Sequence, residues 1–124
     1  MQKSTNTKYK GNLGEDIAID FLIGKGYRIF ARNYVYKKKE IDIIALDKNT
    51  VVFVEVKERG TNVFGEPFEA VNIKKQRSII MVANEYIKRN NIDLESRFDI
   101  ISITMEPQKE PHIEHIVNAF SPMA

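Results

Sequence analysis

Two acids and a lysine interrupt an otherwise apolar segment between residues 40 and 57, which reads EIDIIALDKNTVVFVEVK. The polar run DKNT at its centre is typical of a turn, so the segment predicts a β-hairpin. If the hairpin is symmetric about that turn, Asp42 faces Glu55 and Glu40 faces Lys57. Opposed residues on one face of a sheet have Cβ atoms about 5 Å apart. We therefore expect two carboxylates side by side, with Lys57 pointing into the same place.

Two adjacent carboxylates repel each other, and burying a charge is costly unless it is paired or bound to a metal. A divalent cation such as Mg²⁺, or Mn²⁺ in its place, removes the repulsion because it binds carboxylate, water and phosphate oxygens. The alternative is that Glu55 and Lys57 form a solvated strand end and that Asp42 is ordinary exposed polarity. The coincidence of the two acids in register favours the metal site. A slip of one residue in the hairpin would remove it.

Composition limits the classes of protein to consider. The chain has 124 residues, which is enough for one domain, and its net charge is only +2. The absence of cysteine excludes disulfides and thiolate metal sites, so a cytoplasmic protein is expected. The sequence has no apolar run long enough to cross a membrane and no signal-peptide core. Walker-type loops, dinucleotide-binding glycine patterns and Ser-His-Asp sets are also missing. The two histidines, three residues apart on one strand, do not form a zinc site.

The remaining periodicity predicts an α/β domain at residues 11–120, after a flexible tail at 1–10. The element order is α-β-β-β-α-β-β. The helices are expected near 12–24 and 69–90, and the strands outside the hairpin at 27–34, 97–105 and 112–119. The first helix should present one apolar face, formed by Leu13, Ile17, Ala18, Phe21 and Leu22. Alternation along the hairpin places Ile41, Ile43 and Ala45 on one face of its first strand.

Two further polar residues are candidates for the same site. Glu15 lies on the flank of the first helix, where it can lean over the acids as a ligand or orient a water. The helix dipole alone also favours an acid in the first turn. Gln76 lies on the apolar stripe near the start of the second helix, where a buried amide needs a partner. The alternative for Gln76 is a capped, solvated first turn.

Basic residues surround the predicted site and could follow a phosphate backbone, which would give binding that depends on salt and little on sequence. The three consecutive lysines among them are also typical of a solvated turn. These candidate nucleic-acid contacts are Lys37, Lys38, Lys39, Arg59, Lys75 and Arg77.

The spacing of Asp42 and Glu55-Val56-Lys57 resembles the D…(D/E)-x-K pattern of the restriction-endonuclease-like, or PD-(D/E)XK, nuclease superfamily. Over nearly its whole length the chain is similar to the YraN-like family of small bacterial proteins, which is related to archaeal Holliday junction resolvases. The segments that carry the resemblance are Gly14-Glu15 with Ala18, Phe21-Leu22, Gly26-Tyr27, Arg32-Asn33, Glu40-Ile41-Asp42-Ile43-Ile44, Val52 to Lys57, Lys75-Gln76 with Ala83, Arg97-Phe98-Asp99 and Asn118-Ala119-Phe120.

The resemblance implies a restriction-endonuclease-like fold, with a central mixed sheet flanked by helices, and a metal held by Asp42 and Glu55. It implies that Lys57 assists the attacking water or the developing charge, and that Glu15 and Gln76 complete the catalytic set. Two departures are visible, because Lys39 replaces the usual glycine and Ile41 the superfamily's proline.

The implied substrate is nucleic acid, with branched DNA favoured over RNA. A junction needs two cuts, which would make the protein a homodimer. Two other functions remain open from the sequence. One is a nucleic-acid-binding protein that keeps the fold without turnover, and the other is an interaction module whose acids are structural.

Overall fold

The computed structural model describes residues 13–60 and 71–122. They form a mixed five-stranded sheet with a helix on each face. The elements are α1 (Leu13–Gly24), β1 (Arg28–Tyr36), β2 (Lys39–Asp47), β3 (Thr50–Arg59), α2 (Ile73–Arg89), β4 (Glu95–Thr104) and β5 (His112–Phe120). The strands lie side by side in chain order, and only the β3–β4 pair is parallel. The predicted class and element order are therefore confirmed.

In its paired part the β2–β3 hairpin has the register that the sequence predicts, but the predicted pairs Asp42–Glu55 and Glu40–Lys57 lie beyond the last pair and are not formed. Its pairs run from Asp47 opposite Thr50 to Ile43 opposite Val54. Lys48 in the turn has φ of 57°, the left-handed conformation that a tight hairpin of this kind requires. The turn residues and the alternation of apolar residues therefore both favour the same register of the two strands.

Each face of the sheet has its own apolar core. The α2 face is filled by a cluster that includes Phe53, Phe98 and Phe120, and the rings of Phe98 and Phe120 stack with centroids 5.1 Å apart. The α1 face is filled by a cluster around Leu22 and Ile101. No helix within the described part of the chain is long and apolar enough to cross a membrane.

Three details of the sequence prediction need correction. Leu13 does not belong to the buried face of α1, because the residues that face the sheet are Gly14, Ala18 and Leu22, at a spacing of four. Ile41 does not share a face with Ile43, since it packs in the α2-side cluster and Ile43 in the α1-side cluster. The alternation along β2 is interrupted at the residue between them, Asp42.

The second helix begins later than expected. Asn72 is its N-cap, and its side chain accepts a hydrogen bond of 2.8 Å from the Lys75 amide. A capping side chain of this kind satisfies a backbone donor in the first turn and fixes the start of the helix. The first two residues of the predicted helix, at 69 and 70, and the predicted tail at 1–10 lie outside the described residues.

Candidate active site

The sheet opens into a fork where the two acids lie. Pairing between β2 and β3 stops at Ile43 and Val54, while β2 stays paired to β1 as far as Lys39 and β3 stays paired to β4 as far as Arg59. At the base of the fork the Val56 amide donates a hydrogen bond of 2.8 Å to Asp42 Oδ2. The Asp42 side chain therefore occupies the position of a strand partner for β3.

Glu55 lies in the same fork and is almost fully buried, with 5% of its surface exposed. Its Oε1 accepts no hydrogen bond from any described residue. Its Oε2 lies 3.8 Å from Lys75 Nζ at the start of α2. Burial raises the pKa of the Glu55 carboxyl, and the charges of Lys75 and Lys57 oppose that rise. Glu55 is thus a buried acid with one unused oxygen and two nearby cations.

Burial, together with repulsion from Glu55, also raises the pKa of Asp42, to about 8. The Val56 amide opposes this shift, while the carboxylates of Glu15 and Glu40 add to it. A carboxyl whose ionisation is disfavoured by burial and by a neighbouring acid needs either a proton or a cation. The fork therefore concentrates negative charge that the folded chain only partly neutralises.

Glu15 and Glu40 complete the acidic cluster from two further elements. Within the described residues, Glu15, Glu40 and Asp42 form the one group of three potential metal ligands whose oxygens all lie within 4.8 Å of one another. Glu15 comes from the first turn of α1 and Glu40 from the beginning of β2. The expectation that Glu15 leans over Asp42 agrees with this geometry. Glu40, which the sequence places opposite Lys57, lies within reach of the same point.

Asn33 joins two of these acids and was not identified from the sequence. Its Nδ2 donates to Glu15 Oε1 at 3.0 Å and to Glu40 Oε2 at 2.7 Å. Asn33 has φ of 53°, a left-handed conformation that asparagine tolerates better than most residues. The preceding residue, Arg32, pairs with Glu15 at 3.3 Å and with Asp16 at 2.7 Å. These donors fix the position of Glu15.

The start of α1 is held against the end of β3. The Gly14 amide donates a hydrogen bond of 3.0 Å to Glu58 Oε2. A Cβ atom at position 14 would lie 2.5 Å from Glu58 Cγ and 2.7 Å from Glu58 Cδ, so only glycine permits this approach. A carboxylate at a helix N-terminus is stabilised by the unpaired amides and the helix dipole. The Gly14–Glu58 contact therefore places the first turn of α1 over the fork.

The remaining candidates occupy varied positions around the fork. Gln76 uses its Nε2 locally, donating to the Val71 carbonyl at 3.0 Å. Lys37 and Lys38 form the exposed β1–β2 turn, both with positive φ. Lys39 and Arg59 are partly buried at the strand ends, and Arg77 is exposed on α2. Of the basic candidates, Lys75 lies close to Glu55. The charge of Lys57 also acts on Glu55, where it opposes the rise in the pKa of the carboxyl.

A second buried polar cluster, centred on Asp99 of β4, lies on the α1 face. Arg97 donates to both Asp99 oxygens at 3.0 Å, and His115 Nε2 lies 2.8 Å from Asp99 Oδ2. Lys25 Nζ is 3.0 Å from His115 Nδ1. Because an ammonium group only donates, Nδ1 accepts and Nε2 carries the proton given to Asp99. Burial alone would raise the pKa of Asp99, but the hydrogen bonds from His115, Arg97 and the Asn118 amide outweigh it and lower that pKa.

The donor set in the fork suits a hard divalent cation. All the candidate ligands are carboxylates, which Mg²⁺ and Mn²⁺ prefer, and Glu55 Oε1 is a buried oxygen that lacks a donor among the described residues. Softer metals are disfavoured because His115 is engaged by Asp99 and the chain has no cysteine. The arrangement can therefore hold a cation between β2 and α1, at Glu15, Glu40 and Asp42, and Glu55 of β3 is not a member of that group of three.

The fold and site together define an α/β protein with an acidic candidate site at a fork in its sheet. The model of Uncharacterised protein family UPF0102 matches residues 14–103, and the chain belongs to this family. The matched region contains every candidate site residue from Glu15 to Arg77. The predicted membership of the YraN-like family is therefore confirmed.

Curated relatives match over almost their whole length. A UPF0102 protein of Caldanaerobacter subterraneus subsp. tengcongensis is 46% identical, with 95% of this chain and 99% of the relative covered. A UPF0102 protein of Clostridioides difficile is 45% identical over 93% of this chain and 99% of the relative. One of Flavobacterium psychrophilum is 46% identical over 89% of this chain and 92% of the relative.

Proposed function

We propose that this protein is a metal-dependent nuclease that hydrolyses phosphodiester bonds, with structured or branched DNA as its substrate. The observation that carries the proposal is the buried Asp42–Glu55 pair, in which Glu55 Oε1 accepts no hydrogen bond from the described chain. A buried acid without a donor is costly to a fold and is explained by a ligand that the fold is built to receive.

The residues would divide the work as follows. Asp42 and Glu55 would hold the cation, and Glu15 and Glu40, whose oxygens lie within 4.8 Å of an Asp42 oxygen, would supply further oxygens to it or to the water around it. A bound Mg²⁺ would polarise a phosphoryl oxygen and lower the pKa of a coordinated water. Lys57, whose charge acts on Glu55, would orient the attacking water or stabilise negative charge on the phosphate. Lys75 balances the charge of Glu55 on the opposite side.

The substrate class is inferred from the exposed basic residues and from the family resemblance. The lysines at the β1–β2 turn and the exposed Arg77 can contact phosphates without reading bases. The relation of the YraN-like family to archaeal junction resolvases, which the sequence resemblance implies, favours DNA over RNA and a branched over a linear substrate. A homodimer would supply the second cut that a junction needs.

A nucleic-acid-binding protein without turnover is the second candidate function, and one observation favours it. Asp42 accepts the Val56 amide and so has a role in the sheet that does not require catalysis. Under this alternative the acids contribute to folding, and binding survives their neutralisation.

The discriminating experiment incubates the pure protein with Mg²⁺ or Mn²⁺ and a panel of linear, flapped and four-way DNA, plus RNA. Glu55→Gln is the main variant, because it keeps the shape of the side chain and leaves the Asp42–Val56 hydrogen bond in place. Lys57→Ala is the second variant, and Glu114→Gln, at an exposed position on β5, is the matched control.

We expect wild type and Glu114→Gln to cut a branched substrate, and Glu55→Gln and Lys57→Ala to lose at least about a hundredfold in rate, as removal of a transition-state contact commonly does. Cleavage that persists equally in both variants would contradict the mechanism. Binding without cleavage of any substrate would favour the second candidate function.

A further inference from the structure

A cavity of about 730 Å³ lies along the exposed side of α2 and contains none of the four acids of the fork. Its lining includes Tyr36 of β1, Gln76 of α2, and Ser121 and Pro122, which follow β5. Pockets that bind small molecules typically have volumes of about 300–1,000 Å³. The cavity is therefore large enough to receive a defined ligand.

The cavity adjoins the acidic fork at two points. Gln76 follows Lys75 in the chain, and Lys75 Nζ lies 3.8 Å from Glu55. Tyr36 pairs with Lys39, the neighbour of Glu40. The lining of the cavity therefore begins, along the chain or across the strand pair, next to residues that adjoin the fork.

The lining offers apolar surface that the fold does not use. Ile73 and Met81 are 52% and 42% exposed, although both are large hydrophobic residues. The Tyr36 ring lines the same space, and the Lys37 Nζ lies 5.5 Å from the centre of that ring. Asn84 adds an exposed amide. Flat rings with polar edges fit such a surface, because they stack on apolar groups and hydrogen-bond at their rims.

The charge of the lining favours an anionic ligand. Arg77, Lys88 and Arg89 contribute three cations. Glu85 is the acid in the lining, and it is engaged by the Tyr34 hydroxyl at 2.6 Å and by Arg89 Nε at 3.0 Å. Proteins that bind single-stranded nucleic acid combine stacking surfaces with cations that contact the phosphates. A paired duplex hides its base faces and would use only the cations.

We infer that this cavity binds unpaired nucleotides, so that the preferred substrate carries a single-stranded segment beside the bond that is cut. The inference rests on the proposed function for its place in the reaction, whereas the binding itself needs no metal. It assigns Ile73 and Met81 to stacking and Arg77 and Lys88 to phosphate contact. The branch point of the substrate would then lie between the cavity and the acids.

The test measures binding by fluorescence anisotropy in EDTA at fixed ionic strength. The probes are a labelled thymidine oligonucleotide of about 12 nucleotides, within the site sizes known for single-strand binding folds, and a blunt duplex of equal length. The variant Ile73→Ser/Met81→Ser removes exposed apolar surface without changing charge. The matched control is Leu94→Ser/Val117→Ser, which alters two side chains that are 45% and 48% exposed elsewhere. Thermal melts confirm that both variants are folded.

We expect the cavity variant to weaken binding of the oligonucleotide by about tenfold or more, since it removes the apolar contact of two side chains with the bases, and to leave duplex binding within about twofold. The control variant should bind both probes as wild type does. Equal loss on both probes, or no loss on either, would overturn the inference.

The outcomes also separate this inference from the proposed nuclease activity. Selective loss of oligonucleotide binding, in a protein that cuts no DNA, would support the cavity and contradict the nuclease. Metal-dependent cleavage by a cavity variant that binds the oligonucleotide like wild type would support the nuclease and contradict the cavity.

Discussion

The Asn33 amide donates a hydrogen bond of 2.7 Å to Glu40 and one of 3.0 Å to Glu15, so a single side chain joins acids from a strand and a helix. Both acids lie within 4.8 Å of an Asp42 oxygen. In metal sites the partners of the ligands fix ligand orientation, and their loss typically costs metal affinity. Asn33 is therefore a positioning residue for the proposed cation site.

The variant Asn33→Gly tests this role, because glycine keeps the left-handed backbone at position 33 and removes only the amide. We expect Mn²⁺ affinity, measured by titration calorimetry, to fall by roughly tenfold or more. Asn118→Gly is the control, since Asn118 also has positive φ, at 58°, and lies outside the fork. Unchanged Mn²⁺ affinity in a folded Asn33→Gly protein would show that the acids do not depend on Asn33.

The raised pKa of Asp42, about 8, predicts that the metal-free protein loses stability as pH rises. A carboxyl whose pKa is higher in the folded than in the unfolded state holds more protons when folded, so its contribution to stability is present at low pH and lost as pH approaches 8. In EDTA the unfolding free energy should fall between about pH 5 and pH 8, by at most about 1.4 kcal/mol per unit from this one group.

Asp42→Asn should make that slope shallower and stabilise the metal-free protein at pH 8, because the amide oxygen can still accept the Val56 hydrogen bond. Urea denaturation across the pH range measures the effect. Asp20→Asn, at an exposed position on α1, is the control. A wild-type stability that increases from pH 5 to pH 8 would contradict this account.

The close approach of Gly14 and Glu58 predicts coupling between the two positions. Gly14→Ala forces Glu58 away and breaks its hydrogen bond to the helix, whereas in a Glu58→Ala background the same change meets no obstacle. Alanine is intrinsically the better helix former by up to about 1 kcal/mol. A double-mutant cycle by thermal or urea unfolding should therefore show Gly14→Ala to be more favourable without Glu58, by about 1 kcal/mol. Additive effects would mean that Glu58 does not hold the helix start.

The Asp99 cluster should be important for stability and irrelevant to metal binding. Asp99→Asn leaves the partly buried Arg97 with one carboxylate partner, Asp47, and weakens the His115 contact. Breaking a buried ion pair costs roughly 3 kcal/mol, compared with less than about 1 kcal/mol for an exposed pair such as Lys109–Glu106. Urea unfolding at pH 7 compares Asp99→Asn with Glu106→Gln. Equal stability of the two variants would contradict a structural role for the cluster.

Sequence reasoning succeeded where the information is local. The hairpin register depends on a short turn and on alternation within a few residues, so Asp42 and Glu55 could be placed together from the sequence. Glu15 could also be placed, because its position in the first turn of α1 follows from helical periodicity.

The missed features depend on contacts between distant segments. Asn33 acts on Glu15, which is 18 residues away, and requires a left-handed backbone that the sequence does not reveal. The exposure of Leu13 reflects the rotation of α1, which the Gly14–Glu58 contact helps to set. Asp99 had a usable signal, since it is an acid within an apolar strand just as Glu55 is. Its hydrogen-bond partners, however, are Arg97, His115 and the Asn118 amide, and the last two belong to a different strand, β5.

The hydrogen bond between Asp42 and the Val56 amide also affects how this site can change during evolution. Selection for folding alone would retain an acceptor at position 42, because the amide of β3 loses its partner without one. Glu55 Oε1 offers no such benefit to the described chain. A lineage that abandoned catalysis would therefore be expected to replace Glu55 first and to keep Asp42 or an asparagine. Under the proposed function, the identity of residue 55, more than that of residue 42, would record whether the site is still used for catalysis.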